Sequence, residues 1–216
     1  MSLRRLILLR HGQTDYNVAG RMQGHIDSQL TDEGRTQVAR AARELARFGA
    51  DRLISSDLSR AVDTADQVAA VTGLPVKLDS RLRETHLGEW QGRTIDEIEA
   101  DWPGAIATWR SDPTWAPPGG ESRVEVVARS LPVVRELDAE LAAGVDGDGD
   151  VDGDGRTGLL VAHGGLIAGL ASGLLRLPEE TWPSIGGVGN ARWVTLARRP
   201  GHPRWRLTGY NVGAGE

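Results

Sequence analysis

The sequence predicts an α/β fold, a mostly parallel sheet covered by helices on both faces. Three observations predict it. Short apolar runs of strand length alternate with stretches of helical periodicity. The spacing between them suits strand–helix–strand units. The residues with the most chemistry stand just after the apolar runs, where an open α/β sheet presents its ligands. With 216 residues the chain reads as a single domain, long enough to bury about 70% of its unfolded surface.

Each element has its own reason. Leu6-Ile7-Leu8-Leu9, bounded by arginines, suits a buried strand. Gly12, Asn17, Gly20 and Gly24 mark a loop. Thr31 caps a helix whose Val38, Ala41, Ala42 and Leu45 recur at helical spacing. Leu53-Ile54 makes a second strand. Asp57 or Ser56 then caps a helix carrying Ala61, Ala65 and Val68, ended by Gly73 and Pro75. Val76–Leu78 is the third strand. Thr94-x-x-Glu97 and Ser122-x-x-Glu125 are capping boxes opening a short helix and a longer one. Leu159–Ala162 is a fourth strand, leading through His163-Gly164-Gly165 into an apolar helix over Leu166–Leu175. Trp193–Leu196 and Trp205–Leu207 read as later strands. Gly144–Gly158, with aspartates at 146, 148, 150, 152 and 154, reads as a flexible surface insertion at about 144–158. As a calcium loop counted from Asp148 it fails, because Leu159 stands where the bidentate Glu is needed.

Composition narrows the function. The absence of cysteine excludes disulfide scaffolds, thiol catalysis and thiolate metal sites. Lys77 is the only lysine, which excludes a P-loop lysine. The net charge of −5 argues against nucleic acid as a partner. Without the five aspartates of the insertion, however, acidic and basic residues are equal in number. No apolar run approaches membrane-spanning length, and the N-terminal run is too short for a secretory leader, so a cytoplasmic protein without a membrane partner is expected.

Arg10 and His11 follow the first strand; Ser55, Ser56 and Arg60 follow the second. Arg81, Arg83 and Glu84 follow the third, and His163 the fourth. The set reads coherently as phosphoryl chemistry. Arginine forks match phosphate oxygens. Gly164 and Gly165 at a helix start offer N–H groups to an anion. A neutral imidazole can attack phosphorus, and a second can donate to the equatorial oxygens. A carboxyl group raised in pKa by burial can protonate the leaving oxygen. Arg81 and Arg83 read as rim charges. His86 is a weaker substrate contact, and His25 and His202 have no evident partners. Most of the seven tryptophans read as core, with Trp109 and Trp115 as candidate lid residues.

At these residues the chain resembles the histidine phosphatase superfamily, also called phosphoglycerate mutase-like. The resemblance rests on Leu9-Arg10-His11-Gly12, Asn17, Ser55-Ser56 with Arg60-Ala61, Leu82-Arg83-Glu84 with Gly88-Glu89-Trp90-Gln91-Gly92, Gly120-Glu121-Ser122 and Val161-Ala162-His163-Gly164, all in family order. Within the superfamily, Gln13–Asn17, Arg21–Gly24, Glu84–Gly88 and Trp115–Ser122 are most similar to the branch acting on glucosyl-3-phosphoglycerate. The resemblance implies a three-layer α/β/α sandwich and a phosphohistidine at His11. It implies a clamp of Arg10, Arg60 and His163, Glu84 as proton donor, and a pocket lined by Asn17, Gln23, Gly24 and Gly164. No metal and no cofactor are implied. The expected partner is a small phosphorylated sugar acid, and a homodimer is entertained as the assembly. The alternatives are a mutase and a phosphatase of broad specificity. Family mutases carry a longer C-terminal tail, which favours the phosphatase.

Overall fold

The computed structural model describes residues 3–143, 155–199 and 201–215. The six strands are β1 (Leu3–Arg10), β2 (Arg52–Ser55), β3 (Val76–Leu78), β4 (Arg156–Ala162), β5 (Trp193–Ala197) and β6 (Arg206–Val212). They form one sheet in the order β3-β2-β4-β1-β5-β6. The first four in that order run parallel, and β5 lies antiparallel to both β1 and β6. The helices are α1 (Asp15–Val18), α2 (Asp32–Ala46), α3 (Ser59–Thr72), α4 (Ile95–Asp101), α5 (Ala105–Ser111), α6 (Arg123–Ala143) and α7 (Gly164–Leu175).

The period-two alternation of a strand splits β1 between two cores. Leu6 and Leu8 face a cluster with Val134 and Leu137 of α6 and Leu166, Ile167 and Leu170 of α7. Ile7 and Leu9 face the opposite cluster, with Val38 and Leu45 of α2 and Ala61 and Val68 of α3. Each face of the sheet thus has its helix layer, and the three-layer α/β/α sandwich is the observed architecture. Burying a leucine fully is worth roughly 1.5–3 kcal/mol, so truncating any β1 leucine removes support from the strand that ends in Arg10 and His11.

Several elements differ from expectation. The loop after β1 contains a short helix, α1, capped by Thr14 and closed by Asn17 in a reciprocal box. Helix α3 starts from Leu58 with no side-chain cap, because neither Asp57 nor Ser56 serves as one. Asp57 is held by Arg83 in a two-point ion pair, and Ser56 Oγ meets His163. Helix α5 enters through Gly104 in the left-handed conformation, without a side-chain cap to announce it. Helix α7 begins at Gly164, two residues earlier than the apolar pattern. The insertion boundary moves as well. Arg156, Thr157 and Gly158 belong to β4, paired with β1, whereas 144–154 lie outside the described residues, as does the rejected calcium loop.

A third, smaller cluster sits beyond the sheet edge. Fully buried Trp90 packs against Trp102, Trp109 and Trp115 with ring centroids 6.5, 6.0 and 5.4 Å away. Such pairs add about 0.5–1.5 kcal/mol each beyond their burial. This cluster holds α4 and α5 beside the carboxyl ends of the strands. No helix among the described residues is long and apolar enough to cross a membrane.

Candidate active site

Four adjacent parallel strands deliver the candidate residues to one edge. Arg10 and His11 come from the end of β1, Ser56 and Arg60 from the β2–α3 turn, and His163 from the end of β4 between them. Glu84 follows the 3-10 turn Ser80–Leu82 after β3. Gly12 allows the close approach that fixes His11. A Cβ on Gly12 would lie 2.6 Å from the carbonyl oxygen of Gly34, so β1 and α2 meet backbone to backbone.

His11 is buried, and its Nδ1–H donates to its neighbour's carbonyl, Gly12 O, at 2.7 Å. That bond leaves the Nε2 lone pair free for the cavity. His163 lies beside it, with ring centroids 5.2 Å apart. Ser56 Oγ accepts from Leu58 N–H at 3.3 Å and meets His163 Nε2 at 2.9 Å. With Ser56 donating to Nε2, neutral His163 carries its proton on Nδ1, a buried nitrogen without a protein partner. Burial holds both imidazoles well below their ordinary pKa, helped at His11 by Arg10 and Arg60 and at His163 by Arg60. The pair is neutral at physiological pH, one ring ready to attack and the other to donate.

Both arginines are anchored through their termini. Arg60 donates to Ile26 O at 2.9 Å and Gly24 O at 2.8 Å, and burial lowers its pKa to about 10. Arg10 donates to Val188 O at 2.7 Å. The Nε–H of each is buried and meets no protein acceptor. Glu84 is held differently. Its carboxylate accepts from the N–H groups of Thr85, Gly165 and Leu166, each at 2.9 Å. The start of α7 therefore receives the Glu84 carboxyl group, so the Gly165 N–H, expected to face the phosphate, is taken by Glu84.

Arg10, His11, Asn17, Gln23, Gly24, Arg60 and Glu84 line one cavity of about 200 Å³, over which Trp109 lies. His163 stands against it through His11. Gly24 adopts φ +54°, and a Cβ there would strike Gln91, so the turn that receives Arg60 needs glycine. Gly164 is set apart from the others. It lines an adjoining chamber of about 660 Å³, which shares Arg10, Glu84, Thr85, Trp109 and Gly165 with the first.

Sequence reasoning missed several supports. Asn190 Nδ2 donates toward His11 O, Gly12 O and Asn17 Oδ1 at 3.0–3.3 Å, tying the β1 turn to Asn17. Gln23 Oε1 accepts from Ser28. Arg129 and His25 both hold the main-chain carbonyl of Glu84, at 2.9 and 2.8 Å. His25, which showed no partner in the sequence, also stacks edge-on to His86. Arg129 is paired in turn with Glu121, so the Gly-Glu-Ser motif acts as a bracket for Glu84. Arg81 pairs with Asp79 and Glu136, and Arg83 with Asp57, as rim charges do.

Residues 6–212 match the model of the histidine phosphatase superfamily (branch 1). The chain is 53% identical over 220 residues to a glucosyl-3-phosphoglycerate phosphatase of Mycobacterium tuberculosis, covering 99% of this chain and 97% of that protein. It is 34% identical over 172 residues to a phosphoglycerate mutase-like protein of Arabidopsis thaliana, covering 76% and 68%. Among solved structures, the mycobacterial glucosyl-3-phosphoglycerate phosphatase in complex with VO3 superposes with a TM-score of 0.87 at 53% identity, over 97% of this chain and 100% of that one. With its motifs in family order and its fold shared end to end, the chain belongs to the histidine phosphatase superfamily, branch 1, as a phosphoric monoester hydrolase.

Proposed function

We propose that the chain, acting as one catalytic domain over residues 1–216, hydrolyses glucosyl-3-phosphoglycerate or a related phosphorylated sugar acid through a phosphohistidine at His11. One observation carries the chemistry. Three buried nitrogens without protein partners, Arg10 Nε, Arg60 Nε and His163 Nδ1, belong to residues grouped around the His11 ring. Buried donors are almost always satisfied, and a phosphoryl group supplies the acceptors. The relatives sharing about half their residues with this chain carry the substrate part of the reading.

In the first step His11 Nε2 attacks phosphorus and the P–O ester bond breaks. The electron pair leaves on the ester oxygen, which takes a proton from Glu84. In the second step Glu84 carboxylate takes a proton from water, whose oxygen attacks phosphorus and releases His11 as phosphate departs. Arg10, Arg60 and His163 stabilise the charge on the equatorial oxygens. The atoms balance without a metal or a cofactor. Asn17, Gln23 and Gly24 shape the inner cavity, and Gly164 the outer one. The reading keeps the cytoplasmic location expected from the sequence.

The test is turnover of glucosyl-3-phosphoglycerate, with phosphate release measured alongside isomer analysis of the organic product. Stoichiometric phosphate and an acid-labile phosphoenzyme are expected. A phosphoryl group returned to another substrate oxygen would establish a mutase instead. Equal rates across unrelated sugar phosphates would establish a broad phosphatase.

A further inference from the structure

The outer chamber is charged in a way that the phosphoryl chemistry does not use. Its charged lining consists of three arginines, Arg10, Arg110 and Arg123, and one carboxylate, Glu84. Glu84 is occupied by three N–H groups, and Arg10 is anchored to Val188 beside the inner cavity. Arg123, the first residue of α6, differs from the paired arginines elsewhere. It is half-buried, and among the described residues it has no hydrogen bond or ion pair to protein. Its guanidinium carbon lies 6.0 Å from the ring centre of Trp109, which lines both chambers. The ring offsets part of the cost of desolvating the guanidinium, and an anion would supply the charge partner and hydrogen-bond acceptors that it still lacks.

Glu84 marks the border between the chambers, because it lines both. The leaving oxygen faces Glu84 when it takes the proton, so whatever that oxygen carries extends into the outer chamber. At about 660 Å³ the chamber lies within the ~300–1,000 Å³ of small-molecule sites. We infer that the outer chamber is a subsite for a carboxylate on the leaving group, received by the Arg123 guanidinium, with Arg110 as a second cation at its rim. This rests on the phosphohistidine reading above. It goes beyond that reading in making the carboxylate, rather than the sugar, the feature that the chain selects. Burial lowers the pKa of Arg123 while Glu84 opposes the shift, which places the two groups within electrostatic reach.

The test compares two esters matched in everything but the carboxylate: 3-phosphoglycerate, and glycerol 3-phosphate, where a hydroxymethyl group replaces it. Para-nitrophenyl phosphate is the reference. Arg123→Gln is expected to lower kcat/KM for 3-phosphoglycerate about tenfold to a hundredfold, the worth of one charge-assisted hydrogen bond. Glycerol 3-phosphate and the reference should change by less than about twofold, which also shows that the variant is folded. Arg123→Lys, which keeps the charge and loses the fork, should fall between. Where an ester turns over too slowly, its Ki against para-nitrophenyl phosphate is read. Equal losses on all three esters, or no loss on any, would overturn the subsite. A wild-type enzyme that prefers 3-phosphoglycerate to its glucosylated form would overturn the substrate reading alone, and the matched pair would still test Arg123.

Discussion

The two cavities are built on different principles. The inner one is made of side chains at the ends of paired strands, locked by backbone partners: His11 on Gly12, Arg60 on Gly24 and Ile26, Arg10 on Val188. The outer one is walled by α5, the first turn of α6 and the run Gly186–Gly189, and two of its three arginines make no hydrogen bond or ion pair to protein among the described residues. A site for bond breaking must be fixed before the substrate arrives. A site for selecting the leaving group has to match only a shape and a charge. Changes to His11 or the arginine clamp should therefore be blind to which ester is offered, whereas changes to the outer cavity, or to Glu84 at the border of both, should depend on it.

The largest test of that division is His11→Ala. Without the Nε2 nucleophile, kcat should fall by roughly 10⁴-fold or more on every ester, the scale of losing a nucleophile. A residual rate that varied strongly with the leaving group would break the comparison, because it would mean that the outer chamber promotes the chemistry.

Glu84→Gln sharpens it. Glutamine keeps one oxygen, able to accept from Thr85 and Leu166 N–H, puts an NH2 where the second oxygen accepts from Gly165, and has no proton of suitable acidity to give. A drop of ~10²–10³ in kcat is expected on alkyl phosphates. Para-nitrophenyl phosphate needs no protonation of its leaving group and should lose far less. Equal losses on both would make Glu84 a structural anion for helix α7.

What could be read in the sequence follows the same line. Arg10-His11-Gly12, Arg60, Glu84 and His163 were legible because each stands next to a strand whose apolar run is itself legible. Strand order alone then brings them together. Asn190 and Arg129 were not legible. Asn190 reaches His11 across 179 positions of chain from a segment without regular pattern. Arg129 meets Glu121 eight residues away, which is not the spacing of a helical pair. Helix α5, with its Trp109, was hidden by a start at Gly104 that has no capping side chain. Strand β6 was read short because its mostly half-exposed Arg206–Val212 contains Gly209 and slips register against β5. Of the outer chamber's wall, α5 was thus concealed, while the start of α6 was announced by the capping box at Ser122.

The pH profile is a gentler probe of the inner cavity. His11 must be neutral to attack, and burial with Arg10 and Arg60 holds its folded pKa below the ordinary 6.5. The acid limb of kcat/KM on para-nitrophenyl phosphate should therefore lie below pH 6.5, with little change from there to pH 8. Stability has the same sign. A histidine whose pKa is lowered by folding binds more protons when unfolded, so stability is complete above 6.5 and falls with pH below it. Arg60→Gln, which removes a neighbouring positive charge, should move the kinetic limb toward higher pH. A limb above 6.5 in the unmodified chain would contradict two buried neutral imidazoles.

The smallest effect is expected where neither cavity is touched. The Asp/Gly-rich run enters β4 at Arg156, while His163 follows the strand's other end at Ala162. At ~3.3 Å per residue the two ends lie about 20 Å apart. Excising Gly147–Asp152 leaves Arg156, Thr157 and Gly158 in place, with their pairing to β1. Shortening a connection by a few residues changes closure entropy only slightly. Less than a twofold change in kcat is expected on 3-phosphoglycerate and on the chromogenic ester alike. A tenfold loss on both would mean that this edge of β4 controls the strand on which His163 depends. A loss on 3-phosphoglycerate alone would extend the selecting surface beyond the outer chamber.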